Sequence, residues 1–222
     1  MGTMVGVNAA DGWSAPVKLG GSINVPERSA EPTVSKNGTI YFIADYRNDT
    51  GLYYSKLVDG QYQERVPMEE KFNSLQTDWT PYIAPDESYF IFCSFRAGGF
   101  GSGDLSIAFK QKDGSWGKVI NMGDKINTEA NERFPNVTPD GKYLFFNSTK
   151  KIPGAAANAP GNGDGDVYWI DAKIIEELRR TALPTSAGRK ASIRRCTISG
   201  TTRFSRPGKG SSTRTITLPP PS

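Results

Sequence analysis

Three times the chain runs from a proline through a short apolar stretch and a turn into an apolar-aromatic strand, at residues 32–42, 81–92 and 135–146. Each copy leads through a polar, Gly-containing loop to a third strand at residues 51–55, 103–107 and 165–170. A fourth strand follows the first two copies, opened by Tyr62 and Trp116, and leads through Phe72-Asn73 and Ile126-Asn127 to the next proline. The same pattern precedes the first copy at residues 13–19, running to Ile23-Asn24, so the order is d, abcd, abcd, abc. A period of about 50 residues with all-β content is the signature of propeller blades, small sheets that need neighbours to bury both faces. The expected fold is therefore all-β, a partial propeller of about three four-stranded blades, with residues 13–19 placed to complete the last blade.

Turn chemistry supports the strand assignments. Asn37-Gly38 and Asp140-Gly141 sit where two β-rich runs must reverse, and their glycines supply the positive φ such turns need. Asp86-Glu87-Ser88 lacks the glycine, which predicts a different turn at higher strain. Asp86 and Asp140 are read as turn residues, not catalytic acids. Asn24, Asn73 and Asn127 recur after an apolar residue and are expected to bind and hold their loops.

Past the third copy the β pattern breaks. Asp171 is placed to cap a short helix with Ile174, Ile175 and Leu178 on one face. From Thr181 onward eight Lys and Arg occur with no acid, in a segment rich in Ser, Thr, Gly and Pro. Those eight of the 27 cations leave 19 against 23 acids in residues 1–180, a charge near −4, so the overall +4 arises in the tail. Such a segment cannot offset its ordering entropy and is expected to be disordered. A polyanion-binding role for it lacks support from any basic face on the body, so nucleic acid is not an expected partner. The domain reading is a flexible 1–12, a repeat domain at 13–180 and a basic tail at 181–222.

The chain has no His, which excludes Ser-His-Asp, Cys-His and His-ligated zinc chemistry within it. Cys93 falls in an apolar strand and reads as a buried core residue, and Cys196 lies in the tail. No run reaches membrane-spanning length, and no signal peptide is visible.

The repeat resembles the TolB-type propeller repeat of bacterial envelope proteins. The likeness is carried by Glu31-Pro32, Phe134-Pro135, the run Pro139-Asp140-Gly141-Lys142-Tyr143-Leu144-Phe145-Phe146, residues 96–105 and residues 116–128. It covers residues 13 to about 171 and implies a periplasmic or envelope location. It does not transfer a function, because propellers host many. Members of that family usually have more blades and an export signal, and this chain departs on both counts.

In such a fold the blade-to-blade loops and the loops between second and third strands share one face. That face is expected to contact a ligand or partner through Glu31, Arg47, Asp78, Trp79, Arg96, Glu132 and Arg133. Trp79 is read as standing where the other repeats have Glu31 and Arg133. Asn162, Asp164 and Asp166 alternate in a way that can place oxygens around calcium, although no closing bidentate acid follows. No other cofactor and no catalytic residue is expected. The expected function is a non-catalytic module that binds a protein or peptide, with self-association a further way of covering exposed blade faces. The alternative is a propeller hydrolase or glycan-active protein using loop carboxylates such as Glu31 and Glu132.

Overall fold

The computed structural model describes residues 4–5, 8–9, 12–24, 29–46 and 49–182. Arg47 and the basic segment from residue 183 lie outside the described residues, and so does its reading as a disordered tail. Three antiparallel sheets follow one another along the chain. The first contains β5 (Ser29–Val34), β6 (Ile40–Tyr46), β7 (Asp49–Ser55) and β10 (Val66–Pro67); the second, β11 (Asp78–Ile83), β12 (Tyr89–Ser94), β13 (Asp104–Phe109) and β14 (Ile120–Asn121). The third has three strands, β15 (Glu132–Val137), β16 (Tyr143–Ser148) and β17 (Asp166–Asp171), and β17 is an outer edge. Helix α1 (Lys173–Ala182) follows directly, with Asp171 accepting the Lys173 amide as its cap. The remaining ladders are two residues long: β1 (Met4–Val5) with β4 (Val17–Lys18), β2 (Asn8–Ala9) with β3 (Gly12–Trp13), and β8 (Leu57–Val58) with β9 (Gln61–Tyr62).

The sheets stack like blades because each is apolar on both faces. Tyr41, Ile43 and Leu52, on what we call the leading face of sheet 1, bury against Phe90, Phe92 and Ala108 on the trailing face of sheet 2. One repeat on, Ile91, Cys93, Leu105 and Ile107 bury against Leu144 and Phe146 of sheet 3. Met68 and Phe72 seal the first interface, and Met122, Ile126, Ile174 and Ile175 the second. The trailing face of sheet 1, with Ile40, Phe42, Ala44 and Tyr53, is covered by Ile23, Leu19 and Tyr62. Burial pushes the Cys93 thiol well above its ordinary range, so this cysteine packs as a small apolar group.

Asparagines latch the blades. Asn73 Oδ1 accepts the Leu52 amide at 2.7 Å while its Nδ2 donates to the Leu52 and Met68 carbonyls. Asn127 repeats this with the Leu105 amide and carbonyl at 2.8 and 2.9 Å. The side-chain amide thus satisfies the edge of a third strand where the short fourth strand ends.

The hairpin turns behave as their residues require. Gly38 and Gly141 take φ of 86° and 71°, and Glu87 adopts φ 59° at the corresponding place. A side chain there is retained because it links blades: Glu87 accepts hydrogen bonds from Ser35 Oγ, Asn37 Nδ2 and, at 2.6 Å, Lys110 Nζ.

Residues 13–19 do not complete the third sheet. Val17–Lys18 pair with Met4–Val5, and Leu19 packs against sheet 1. A ladder only two residues long is too weak a pattern to fix its partner from sequence.

Candidate functional site

The first strand of each blade breaks register at the same place, between Ala30 and Thr33, Trp79 and Tyr82, and Arg133 and Asn136. The skipped pair is always a residue at positive φ followed by proline: Glu31 at 54°, Thr80 at 48° and Phe134 at 53°. Proline removes a ladder donor, and the left-handed conformation costs about 1 kcal/mol or more at each non-glycine residue. Three such bulges in register turn these pairs toward one another, because β11 packs against both β5 and β15. With Pro32, Pro81, Pro135 and Asn136 they line an open cavity of about 280 Å³. Glu31 Oε2 accepts the Thr80 amide at 2.8 Å, tying the first two bulges together, while Phe134 is half exposed. The Thr80 hydroxyl is buried without a hydrogen-bond partner.

This register corrects the alignment of Trp79, which corresponds to Ala30 and Arg133 and not to Glu31. Trp79 is half-buried, its ring edge-on to Phe95 at 5.6 Å and its buried indole nitrogen unpaired.

Asp78 and Glu132 occupy one repeat position, and both are buried instead of displayed on the loop face. Asp78 Oδ2 accepts the Ser74 amide and hydroxyl at 2.8 Å each, and Arg96 approaches Oδ1 at 3.4 Å. Burial pushes the Asp78 carboxyl above its ordinary value, against the pull of Arg96 and Ser74. Glu132 accepts from the Thr128 amide, the Thr128 hydroxyl and, at 2.5 Å, the Ser148 hydroxyl. A Ser or Thr four residues ahead of a buried acid closes each blade-to-blade loop. The acid-base pair of Glu31 and Glu132 is therefore not formed, since Glu132 is 0 % exposed and spends its oxygens on the loop. Arg96 stacks over Phe92 at 5.3 Å and Arg133 over Phe134 at 5.7 Å. Asp166 Oδ2 accepts the Gly161 amide and Asp164 pairs with Asn162, so both serve the loop that carries them.

The leading face of sheet 3 is an exposed apolar surface. Its positions correspond to Ile91, Cys93, Leu105 and Ile107 of sheet 2, all buried, yet here they are Phe145, Asn147, Val167 and Trp169. Trp169 is 62 % exposed and Val167 74 %, with Tyr143 edge-on to Trp169 at 5.1 Å. The Tyr143–Trp169 contact links β16 to β17 across this face.

No family model and no curated protein matches the chain. Among solved structures it is similar to TolB from Acinetobacter baumannii. The two share 16 % identity with a TM-score of 0.44, over 76 % of this chain and 35 % of that one. The chain thus spans about a third of the length of that TolB.

Sequence reasoning missed Thr80 and Phe134 as bulge residues, and it expected exposed blade faces without singling out the sheet 3 face or its residues. Counting back from the shared proline identifies the bulge position. The sequence signal for this face is Val167-Tyr168-Trp169-Ile170, a run apolar at both alternations of the strand.

Proposed function

We propose that the chain is a non-catalytic binding module that recognises a protein partner through the leading face of sheet 3. The exposure of Val167 and Trp169 carries this reading: their counterparts Leu105 and Ile107 in sheet 2 and Leu52 in sheet 1 are buried under the next sheet, and Tyr54 in sheet 1 is half-buried. An apolar face of a sheet fits another sheet face better than it fits a small polar ligand. A second copy of the chain is the simplest occupant, and an edge-strand peptide added along β17 would enlarge the contact. The reading draws on no carboxylate chemistry, in keeping with the burial of Glu132 and Asp78. The likeness of the repeat to TolB-type envelope proteins supports a location in the bacterial envelope. Among the described residues no helix is long and apolar enough to cross a membrane.

The test is the mass in solution by light scattering, for the full chain and for Trp169→Glu. A concentration-dependent dimer abolished by the substitution supports the reading. A chain that stays monomeric in both forms refutes association through this face.

A further inference from the structure

The two blade interfaces end differently at the edge opposite the blade-to-blade loops. Lys110 and Ala172 stand at the same repeat position, their amides donating to the Ser88 and Lys142 carbonyls. After Lys110 the chain turns through a hairpin to Trp116, whereas after Ala172 it forms α1. The helix fills the cleft between sheets 2 and 3: Ile174 and Ile175 are buried in the core there. Its Arg179 lies 4.5 Å above the Phe109 ring and donates to the Ser88 carbonyl. The corresponding cleft between sheets 1 and 2 has no helix. It is an open groove of about 700 Å³ lined by Tyr41, Tyr54, Lys56, Val58, Met68 and Trp116 among others.

We infer that this groove binds a short amphipathic helix from a partner protein, seated as α1 is seated one blade on. Tyr54 and Trp116 are half-buried in the groove, and Val58 and Val66 are exposed along it. Its charge differs in one decisive place. The residue equivalent to Phe109 is Lys56, so the position that takes Arg179 in the filled cleft faces an ammonium in the open one. The other cation in the groove, Lys110, already pairs with Glu87 at 2.6 Å. Among the described residues Lys56 carries no such pair. The partner helix therefore presents apolar residues at i, i+1 and i+4 and an acid at i+5.

The probe is a labelled synthetic peptide with the sequence of residues 171–182, in its native form and with Arg179→Glu, titrated against the full chain by fluorescence anisotropy. The Arg179→Glu peptide should bind about fivefold more tightly than the native one, the scale of an exposed ion pair. Lys56→Glu in the chain should reverse that order, and Val58→Glu should weaken both peptides by about tenfold. Lys56 and Val58 are exposed, so neither change threatens folding. The inference is overturned by any of three results: no saturable binding of either peptide, a preference that Lys56→Glu leaves unchanged, or backbone NMR shifts centred on Ser88 and Phe109, which would mean exchange with α1. A Trp169→Glu chain should bind the peptides unchanged, which separates this outcome from that of the sheet 3 face.

Discussion

Trp169→Glu is the sharpest test of the sheet 3 face because its two consequences are well separated in size. The side chain is 62 % exposed, so in the lone chain its packing rests on the edge-on contact with Tyr143 at 5.1 Å. Losing that contact costs about 1 kcal/mol, which for a domain of this size lowers Tm by about 3 °C. In an associated form the exposed part is covered. With a buried area of about 200 Å² for a whole Trp, that is about 120 Å², or about 3 kcal/mol of apolar transfer. Ordering and desolvation absorb part of this, leaving about 2 kcal/mol, a factor of about 30 in Kd before any penalty for burying the new carboxylate. A symmetric dimer loses the residue from both sides, so the shift is larger still. Sedimentation equilibrium from about 1 to about 200 µM spans the range in which such a change is visible. A dimer constant altered by less than about threefold, with Tm lowered by the expected few degrees, would show that Trp169 is simply an exposed aromatic and refute the reasoning.

Other substitutions probe the scaffold. Asn127→Ala leaves the buried Leu105 amide without its acceptor, while the Leu105 carbonyl keeps the Met122 amide as donor; the expected loss is about 2 kcal/mol, read as a fall in Tm of about 6 °C. Glu87→Gly relieves a strained φ worth about 1 kcal/mol but removes the links to Ser35, Asn37 and Lys110, so chemical denaturation should show a net loss of about 1 kcal/mol. Burial raises the Glu87 carboxyl, but the Lys110 hydrogen bond and charge, with Ser35 and Asn37, outweigh it and hold the group below its ordinary 4.5. Its folded pKa is lowered, so its contribution is present above about pH 4.5 and is lost as pH falls through the folded value. The gap in stability between wild type and Glu87→Gln should therefore close on acidification, and a gap that widens would reverse the assignment. Thr80→Gly removes a β-branched residue from φ 48° and a buried unpaired hydroxyl; Tm should rise by about 3 °C, against a small loss of packing.

Much of the scaffold was legible because its signals are local and repeated. Three prolines in register located the inner strands, and Asn73 and Asn127 announced the latches by recurring after an apolar residue. The missing glycine at Glu87 foretold strain but not the turn: instead of a different one, Glu87 adopts the same left-handed conformation as Gly38 and Gly141. What stayed hidden depends on pairing across sheets. The bulge at Glu31, Thr80 and Phe134 is a break in register, invisible until the neighbouring strand is in place, and without it Trp79 was matched by chemistry to the wrong neighbour. Residues 13–19 carry the motif of an outer strand, but a two-residue ladder commits to no sheet. The charges of Asp78 and Glu132 suggested display, whereas the Ser74 and Thr128 positioned four residues earlier draw them inward.

The asparagine latches also bear on how the chain is made. Asn73 closes the edge of a strand from the preceding blade, and Asn127 does the same for the next, each lying 21 or 22 residues beyond the group it binds. During synthesis, a sheet is not secured when its own strands have emerged. It waits for the loop that leads out of its own fourth strand toward the next blade. Each blade is therefore closed only once that loop is in place, a step that each repeat completes for itself. A nascent chain exposed through Asn121 but not through Asn127 would hold a second sheet that is paired but still unlatched.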